Sequence, residues 1–406
     1  MAHLAALPTE PDTTVSPNRV RFADLFCGIG GFHAATNIVC AERGIAPECV
    51  FASDIDPDAR DAYEANYGVR PTGDITVIDA HDIPDHDILF AGFPCQTFSI
   101  CGDRRGFEDA RGTLFFDVAR IIAAKRPAAF VLENVKQLRG HDSGRTLQVI
   151  LQTLDDLGYH VDWRILNALD FGLPQRRERI LIVGFREPRR FVWSPGGVPM
   201  KPLAKILEAD ENVPPFYWAS EKIRQARVER REGKKVWEEP TIWHENKGGN
   251  ISAYPYSCAM RAGASYNYLL VNGERRMTER EMLRLQGFPE DFKIVCGYGA
   301  TRKQVGNSVA VPCVAAILRS VLDALQQSEE PQIVPPTRRV VQLIDASGNS
   351  QGESECTGSA SMPSSSPSGI GNPAPNETHP TTGSSPRIAR TADSKTGCSM
   401  ISGKGA

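Results

Sequence analysis

The chain has 406 residues, of which 41% are hydrophobic and 23% charged, and its formal net charge is −3. This is enough chain for two or three domains with full cores, and the near-neutral balance excludes a bulk polycation. Neither an apolar run of about 18 residues nor a signal-peptide pattern is visible, so we expect no transmembrane helix and no export. Ten scattered cysteines without a C-x-x-C pair argue against a zinc ribbon and fit a reducing, cytoplasmic setting.

Strands and helices alternate along the first half of the chain, where short apolar runs are separated by stretches with helical periodicity. We predict strands at 22–26, 49–53, 88–91, 129–132, 160–167 and 179–186, and helices at 32–43, 57–67, 115–125 and 145–157. This alternation predicts an α/β fold with a parallel, doubly wound sheet that is covered by helices on both faces.

The pattern changes after residue 186. Residues 194–274 are rich in Pro, Gly, Tyr, Trp and Asn and contain few periodic segments, which predicts a separate, loop-rich module. Helical periodicity returns at 278–286 and 309–325. Residues 1–19 are predicted to be a flexible N-terminus. Residues 328–406, filled with Ser, Pro, Gly and Thr, cannot bury enough apolar surface to fold, so we predict a disordered tail.

A glycine-rich turn follows the first predicted strand, in the segment DLFCGIGG that runs from Asp24 to Gly31. Such a turn lets a ligand approach the backbone, but His33 stands where a full dinucleotide fingerprint needs a third glycine. Asp54 ends the second strand, where a carboxylate can accept hydrogen bonds from ribose hydroxyls, and Asp74 follows later. The pattern favours a nucleoside cofactor without a pyrophosphate, such as S-adenosylmethionine. The alternative is a plain tight turn with solvated aspartates.

The segment GFPCQTFS, residues 92–99, follows the apolar strand at 88–91, which places Cys95 at the carboxyl edge of the sheet. A thiol there can act as a nucleophile if its thiolate is stabilised. The Gly-rich stretch 102–112 predicts a mobile loop that could close over a substrate. An inert, packed cysteine is the alternative, although it would need no such loop.

Three later segments carry polar groups next to predicted strands. Glu133 follows a strand and could donate a proton or a hydrogen bond, or could be a solvated or helix-capping residue. The arginines of QRRER, residues 175–179, could hold a carbonyl or phosphates through their guanidinium forks, or could be surface charges. In the segment QVGNSVAVP, Asn307 and Ser308 are predicted to cap the helix that follows.

Taken in order, DLFCGIGG, GFPCQTFS, ENV, QRRERI and QVGNSV resemble the motifs of the DNA cytosine-5 methyltransferases, from about residue 21 to residue 325. The resemblance implies a Rossmann-like, S-adenosylmethionine-dependent catalytic domain at 20–193, completed by 275–327, and a smaller, irregular target recognition domain at 194–274. The compact size resembles bacterial restriction–modification enzymes. The implied activity is methyl transfer to C5 of a cytosine in a specific short sequence of double-stranded DNA.

The resemblance also assigns roles to individual residues. The predicted cofactor-binding residues are Phe26, Gly28, Gly30, Asp54, Ile55, Asp74, Ile75, Pro94, Leu114, Asn307 and Ser308. Cys95 matches the nucleophile of the family, and Glu133 matches the acid that holds the cytosine ring. Arg177 and Arg179 complete the predicted catalytic set, and Arg179 is the favoured contact to the cytosine. No metal site is predicted.

Basic residues in three places are predicted to bind DNA. They are Arg104 and Arg105 in the closing loop, Lys222, Arg224, Arg227, Arg230 and Arg231 in the recognition region, and Arg261. We expect side chains around Arg261 to read base edges, and the others to supply the local positive surface that a near-neutral protein needs. A solvated helix of mixed charge is the alternative for the stretch 222–235.

We expect a monomer in the bacterial cytoplasm, associated with the nucleoid and without a membrane partner, that acts together with a restriction endonuclease of the same site. A tRNA cytosine-5 methyltransferase is an alternative, although the Cys-Phe-Thr tripeptide typical of that branch is absent from 194–274. A non-catalytic DNA-binding relative is another. Such relatives lose the Pro-Cys dipeptide, which is intact here at Pro94-Cys95.

Overall fold

The computed structural model describes residues 18–94, 114–231, 233, 235, 237 and 240–327. Three predicted site residues, Cys95, Arg104 and Arg105, lie outside the described residues. Residues 1–17 and the predicted tail 328–406 lie outside them as well. The α/β class predicted from the sequence is confirmed.

A six-stranded sheet forms the centre of the fold. The strands before residue 186 are β1 (Arg19–Leu25), β2 (Ala46–Ser53), β3 (Ile88–Ala91), β4 (Ala129–Val135), β5 (His160–Asn167), β6 (Gln175–Arg176) and β7 (Glu178–Phe185). All except β6 belong to this sheet, in the order β2-β1-β3-β4-β7-β5. The order places β1 between β2 and β3, so the loops that follow β1 and β3 diverge and leave a crevice between them. In open α/β sheets such a crevice is the usual place for a ligand.

The sheet is mixed, which corrects the predicted all-parallel arrangement. β1 is parallel to β2 and β3, and β3 is parallel to β4, but β7 is antiparallel to both of its neighbours, β4 and β5. Only residues 168–177 connect β5 to β7, too few for a helical crossover, so the chain returns in the opposite direction. A buried strand is apolar whichever way it runs, and the sequence pattern therefore did not distinguish the two directions.

Helices cover both faces of the sheet, as predicted. The helices of the described residues are α1 (Gly31–Arg43), α2 (Pro57–Tyr67), α3 (Leu114–Lys125), α4 (Arg145–Asp156), α5 (Glu221–Glu229), α6 (Glu279–Gln286), α7 (Tyr298–Asn307) and α8 (Val311–Gln326). Apolar residues of α1 and α8 share one buried cluster with Phe22 and Phe90 of the sheet. Residues of α3 and α4 share the other cluster with Leu89 and Leu132. Because side chains alternate along a strand, these two clusters lie on opposite faces.

The region predicted to be a loop-rich module contains a small sheet of its own. β8 (Ile242–Glu245) pairs antiparallel with β9 (Ile251–Tyr254) and with β11 (Leu269–Val271), and β10 (Ser257–Cys258) pairs with β6. At the end of this region a buried ion pair joins Arg275 to Glu281 of α6, with 2.9 Å between Nη2 and Oε1. Glu281 also closes a capping box with Thr278. This anchor fixes where the chain returns to the larger sheet.

The C-terminal helical region differs from the prediction in two respects. A single helix was predicted at 309–325, but α7 precedes α8 and ends at Asn307. Ser308 is the C-terminal cap residue of α7, and the N-cap position of α8 is Ala310, so the predicted N-capping role of Asn307 and Ser308 is wrong. The segment 298–326 is apolar and long enough to cross a membrane, but 72% of its most apolar window is buried within the fold. We interpret it as a core segment.

Candidate active site

The glycine-rich turn after β1 is held in a conformation that exposes its backbone. Phe26, Gly28 and Gly30 all have positive φ angles, of 54°, 53° and 79°. A side chain on Gly28 would meet no atom within 4 Å, so this point of the turn is open to a ligand. Gly30, in contrast, packs against the ring of Tyr67, which leaves no room for a Cβ. The turn therefore has one open side and one supported side, as a nucleoside-binding loop requires.

Two carboxylates lie beside this turn. Asp54 accepts hydrogen bonds from the backbone N–H groups of Gly28 and Asp56, both at 2.8 Å, and burial raises the pKa of Asp54. Each oxygen of Asp54 keeps a lone pair for a further donor. Asp24, within β1, is fully buried, and its interaction with the hydroxyl of Tyr63 only partly offsets the effect of burial on its pKa. Burial, aided by the charge of Asp54, raises the pKa of Asp24 well above its usual value.

The segment after α7 closes against the same turn. A Cβ built on Gly31 would lie 2.6 Å from Cγ2 of Val309 and 2.8 Å from Oγ of Ser308. Ser308 is buried at this contact, whereas Asn307 is exposed. The first and last sequence motifs, more than 270 residues apart, therefore meet at van der Waals distance.

The remaining predicted cofactor residues divide by exposure. Ile55 is 73% exposed beside Asp54, and Asp74 is exposed and caps a short turn through Thr76 N. Ile75, however, is buried in the hydrophobic cluster of α3 and α4, so the structure places it in the core and not on a pocket surface. Pro94 is exposed and Leu114 is half-buried, and each borders the segment outside the described residues.

A buried ion pair lies at the carboxyl edge of the sheet, next to the strand that leads into the Pro-Cys dipeptide. Glu133 Oε1 lies 2.9 Å from Nε of Arg179, and the two side chains are only 11% and 18% exposed. Burial raises the pKa of Glu133, while the positive charges of Arg179 and Arg177 oppose the rise. A Cβ on Gly92 would lie 3.8 Å from Oε2 of Glu133, so the segment that leads to Cys95 passes within contact distance of the carboxylate. The arrangement can hold a protonatable group against a ring placed there.

Arg177 does not face this edge, contrary to its predicted catalytic contact. Its side chain is 2% exposed and donates to three carbonyl oxygens, those of Met260, Gly306 and Ser308. Burial, with the nearby charge of Arg179, lowers the pKa of Arg177 to about 9, so it remains charged at neutral pH. Arg177 therefore joins the QRRER motif to the recognition region and to the turn beside Gly31. It positions other groups and has no free face for a substrate.

The predicted DNA-binding stretch 222–235 is less basic at the surface than its sequence suggests. Arg227 is 2% exposed and pairs with Glu245, which removes it from the predicted DNA contacts. The same carboxylate also pairs with Arg230, and Arg224 pairs with Glu221.

The other cations of this region are placed differently. Arg231 stacks over the ring of Trp243, with 4.3 Å between its Cζ and the ring centre, and Lys222 is exposed on α5. Arg261 is also exposed, and its guanidinium lies 4.9 Å from the ring centre of Tyr268. A polar surface groove runs past Arg261 and is also lined by Asn246, Lys247, Gly263 and Ser265. Of the predicted basic side chains that the structure describes, Lys222 and Arg261 are thus the freest to meet a polyanion.

Two residues of the site were missed by the sequence reasoning. Asp24 belongs to the first motif, but no role was predicted for it. A carboxylate inside the apolar strand FADLF is nevertheless an unusual feature. Asn134, in the motif with Glu133, donates from Nδ2 to the carbonyl oxygen of Phe93 at 2.8 Å. This bond fixes the loop after β3 relative to the end of β4, and no local pattern indicates it.

Comparison with known proteins agrees with this geometry. Residues 20–323 match the family model described as C-5 cytosine-specific DNA methylase. The chain is 55% identical to the Type II methyltransferase M.NgoBI of Neisseria gonorrhoeae over 293 residues, covering 72% of this chain and 90% of the relative. It is 48% identical to the Type II methyltransferase M.HaeII of Haemophilus aegyptius over 324 residues, covering 80% and 97% of the two chains.

Solved structures share the fold at lower identity. The S. pombe Dnmt2 methyltransferase superposes with a TM-score of 0.56 at 22% identity, covering 76% of this chain and 100% of that one. A mutant of the Spodoptera frugiperda DNMT2 gives a TM-score of 0.57 at 17% identity, with 75% and 99% covered. At such identities the similarity establishes the fold alone.

Proposed function

Since this chain belongs to the C-5 cytosine-specific DNA methylase family and is a DNA cytosine-5-methyltransferase of the type II restriction–modification class, we propose that it methylates a flipped-out cytosine through a covalent bond between Cys95 and C6. The target lies within a specific short sequence of double-stranded DNA. The observation that carries the proposal is the buried Glu133–Arg179 ion pair. The pair lies next to Gly92, which precedes Cys95 by three residues in the sequence.

The family uses S-adenosylmethionine, and the residues beside the first turn fit this cofactor. The open side of Gly28 admits a ligand, Asp54 retains lone pairs for ribose hydroxyls, and the exposed Ile55 offers an apolar surface to a base. Pro94, Asp74, Leu114 and the turn at Ser308 complete the proposed pocket. When bound, the cofactor supplies an electrophilic methyl group to C5 of the cytosine.

The protein groups make C5 reactive. The Cys95 thiolate adds to C6, and the electron pair of the C5–C6 double bond moves to C5, which becomes nucleophilic. Glu133 protonates or hydrogen-bonds the ring at N3 and the exocyclic amine, where negative charge develops, and Arg179 supports O2. After methylation, C5 loses its proton to a base or water, the double bond re-forms, and the Cys95–C6 bond breaks with its electron pair returning to sulfur.

The cytosine must leave the duplex before this chemistry, because C6 is stacked inside the helix. Unstacking costs roughly a few kcal/mol, which contacts to the DNA backbone offset. We propose that Arg104 and Arg105 of the loop after Cys95 contact the phosphates, together with Lys222, Arg224, Arg230 and Arg231. Arg261 and the groove beside it are proposed to contact base edges.

The remaining proposals concern organisation. We propose a catalytic domain at 20–193 and 275–327, a target recognition domain at 194–274, and a cytoplasmic monomer that shares its site with a restriction endonuclease. A DNA substrate is preferred to tRNA because the relatives at 55% and 48% identity are Type II methyltransferases. A non-catalytic role is disfavoured because Pro94-Cys95 is intact and the Glu133–Arg179 pair is assembled.

Two assays test this function. Bisulfite sequencing of DNA treated with the purified protein and S-adenosylmethionine is expected to show C5 methylation at one short sequence. A duplex carrying 5-fluorocytosine at that position is expected to trap the protein covalently, since fluorine cannot leave C5 as a cation. Cys95→Ser is expected to abolish trapping and methylation while cofactor binding persists. Cys296→Ser makes the same change at a half-buried cysteine outside the motifs and is the matched control.

Three results would contradict parts of this proposed function. Methylation at wild-type rate by Cys95→Ser would exclude the covalent mechanism. Unconverted cytosines scattered without a common sequence would exclude a specific recognition site. Methylation of tRNA but not of DNA under the same conditions would replace the proposed substrate.

A further inference from the structure

A cluster of arginines and aromatic rings lies on the surface near Arg261 and belongs to none of the sequence motifs. It comprises Phe216, Tyr266, Arg276, Tyr298 and Arg302, which we call the arginine–aromatic cluster. The Cζ of Arg276 lies 4.6 Å from the ring centre of Phe216 and 5.6 Å from that of Tyr298, and Cζ of Arg302 lies 4.8 Å from that of Tyr266. Phe216 and Tyr266 are 56% and 49% exposed. Exposed rings that each hold a guanidinium are typical of a binding surface.

The two charges of the cluster have no carboxylate partner. Within the described part of the chain, neither Arg276 nor Arg302 lies within 4.0 Å of a carboxylate oxygen. Arg276 donates to the backbone carbonyls of Phe216 and Tyr217. Arg302 donates from Nη2 to that of Ala262 at 3.4 Å, and its Nε and Nη1 are buried, so Arg276 is the more accessible of the two. Neutral rings and carbonyls thus hold both guanidinium groups and leave their positive charges uncompensated. This contrasts with Arg227 and Arg230, which share the carboxylate of Glu245.

The cluster adjoins the loop 261–266, the segment proposed to reach base edges. A Cβ on Gly306 would lie 2.7 Å from the backbone N of Ala262, and one on Gly299 would lie 3.0 Å from the hydroxyl oxygen of Tyr266. The loop is therefore packed on α7 along its length. Met260 directly precedes the loop, and its carbonyl oxygen accepts a hydrogen bond from Arg177. Arg177 is in turn two residues before Arg179 of the active site in the sequence. The cluster therefore lies directly beside the loop 261–266.

We propose that the arginine–aromatic cluster binds the phosphate backbone of the DNA substrate, beside the bases that the loop 261–266 contacts. A guanidinium fork matches the geometry of phosphate oxygens, and a guanidinium already held against a ring loses less freedom when it binds. The proposal rests on the proposed function only in taking double-stranded DNA as the ligand. It adds a direct phosphate contact at Arg276, and the charge of Arg302 behind it, from residues that the motifs do not contain.

The test compares equilibrium DNA binding of Arg276→Gln and Arg302→Gln at several salt concentrations, by fluorescence anisotropy. The probes are a duplex carrying the site mapped by bisulfite sequencing and a duplex of equal length that lacks it. Each variant is expected to weaken binding of both duplexes by a similar factor, roughly fivefold or more. The slope of log Kobs against log salt is expected to become shallower by about 0.9 per lost phosphate contact. The matched control is Arg319→Gln on α8, because Arg319 is paired with Glu42 of α1. This variant is expected to leave the slope unchanged.

Three results would overturn the proposal. The salt slope could keep its wild-type value in both variants. The variants could change the preference between the two duplexes without changing the slope. In that case the cluster would only position the loop 261–266. If a Gln variant does not fold, Arg276→Met and Arg302→Met, which also remove the charge, are expected to lower the slope, and an unchanged slope would contradict a phosphate contact. Wild-type protein that binds no DNA would instead refute the proposed function.

Discussion

Replacing Arg177 by glutamine separates the two roles that this arginine could have. As a group that contacts the cytosine, Arg177 would affect the reaction and leave the fold intact. In its other role, Arg177 is a buried donor to the carbonyl oxygens of Met260, Gly306 and Ser308. It would then stabilise the fold, the turn beside Gly31 and the loop 261–266 together. The structure predicts the second outcome.

The magnitude follows from those three bonds. A hydrogen bond from a charged donor contributes about 1.5–3 kcal/mol, and the cost of burying the guanidinium offsets part of the sum. Breaking a buried charged group away from its partners costs roughly 3–5 kcal/mol, because the partners remain buried and unpaired. At about 2–4 °C per kcal/mol, Arg177→Gln should lower the melting temperature by roughly 6–20 °C.

The assay is thermal unfolding, followed by S-adenosylmethionine and DNA binding below the transition. Both affinities should fall, since the carbonyls of Ser308 and Met260 lie in the two segments concerned. Arg176→Gln is the matched control, because Arg176 precedes Arg177 and its side chain is exposed. The control should change stability by less than about 0.5 kcal/mol.

A variant Arg177→Gln with wild-type melting temperature and wild-type binding, but without methylation, would refute this reasoning. It would return Arg177 to the catalytic role predicted from the sequence. Equal destabilisation by Arg176→Gln would also refute it, because the effect would then not depend on burial.

Two further predictions concern the cofactor side and the buried acid. Gly31→Ala should weaken S-adenosylmethionine binding roughly tenfold, measured by calorimetry, because its Cβ would lie 2.6 Å from Cγ2 of Val309 and the turn must move. Burial raises the pKa of Glu133, so the native state holds its proton more tightly than the unfolded state does. The stability that this proton contributes is present below the usual pKa of a glutamate and is lost as pH rises through the folded pKa. The free energy of unfolding of wild type minus that of Glu133→Gln should therefore decrease as pH rises from the usual pKa of a glutamate through the raised pKa of Glu133, measured by urea unfolding.

Controls and contrary outcomes differ between the two. Gly297→Ala has open space for a Cβ and a negative φ angle, and it should leave cofactor binding unchanged. Wild-type affinity of Gly31→Ala would show that the turn at Val309 does not shape the pocket. For Glu133, a difference in unfolding free energy that stays constant or grows with pH would mean that its pKa is not raised.

Local patterns in the sequence sufficed for much of the fold. The strands at 88–91 and 160–167 and the helix at 57–67 were predicted with the bounds that the structure has, because apolar periodicity and capping residues act over a few neighbours. Asp56 accepts from the backbone at the start of α2, and Gly44 ends α1 with a φ of 65°, as their residue types indicate. The order of the motifs also indicated which loops lie at the carboxyl edge of the sheet.

The partners of charged groups were decided by tertiary structure alone. Arg177 and Arg179 are two residues apart in one motif, yet one is buried among carbonyls and the other pairs with Glu133. The charged sequence around Arg227 predicts a position on the surface. In the structure, however, Arg227 is buried and pairs with Glu245 of β8.

The sequence by itself determined the α/β class, the glycine turn and the family motifs, since each depends on residues close together in the chain. The direction of β7, the meeting of Gly31 with Ser308 and the cluster around Arg276 depend on contacts between distant segments. Periodicity and motif spacing carry no information on which distant segments meet. The packing of the whole chain selects these contacts, and with them the arginines that are free to bind a substrate.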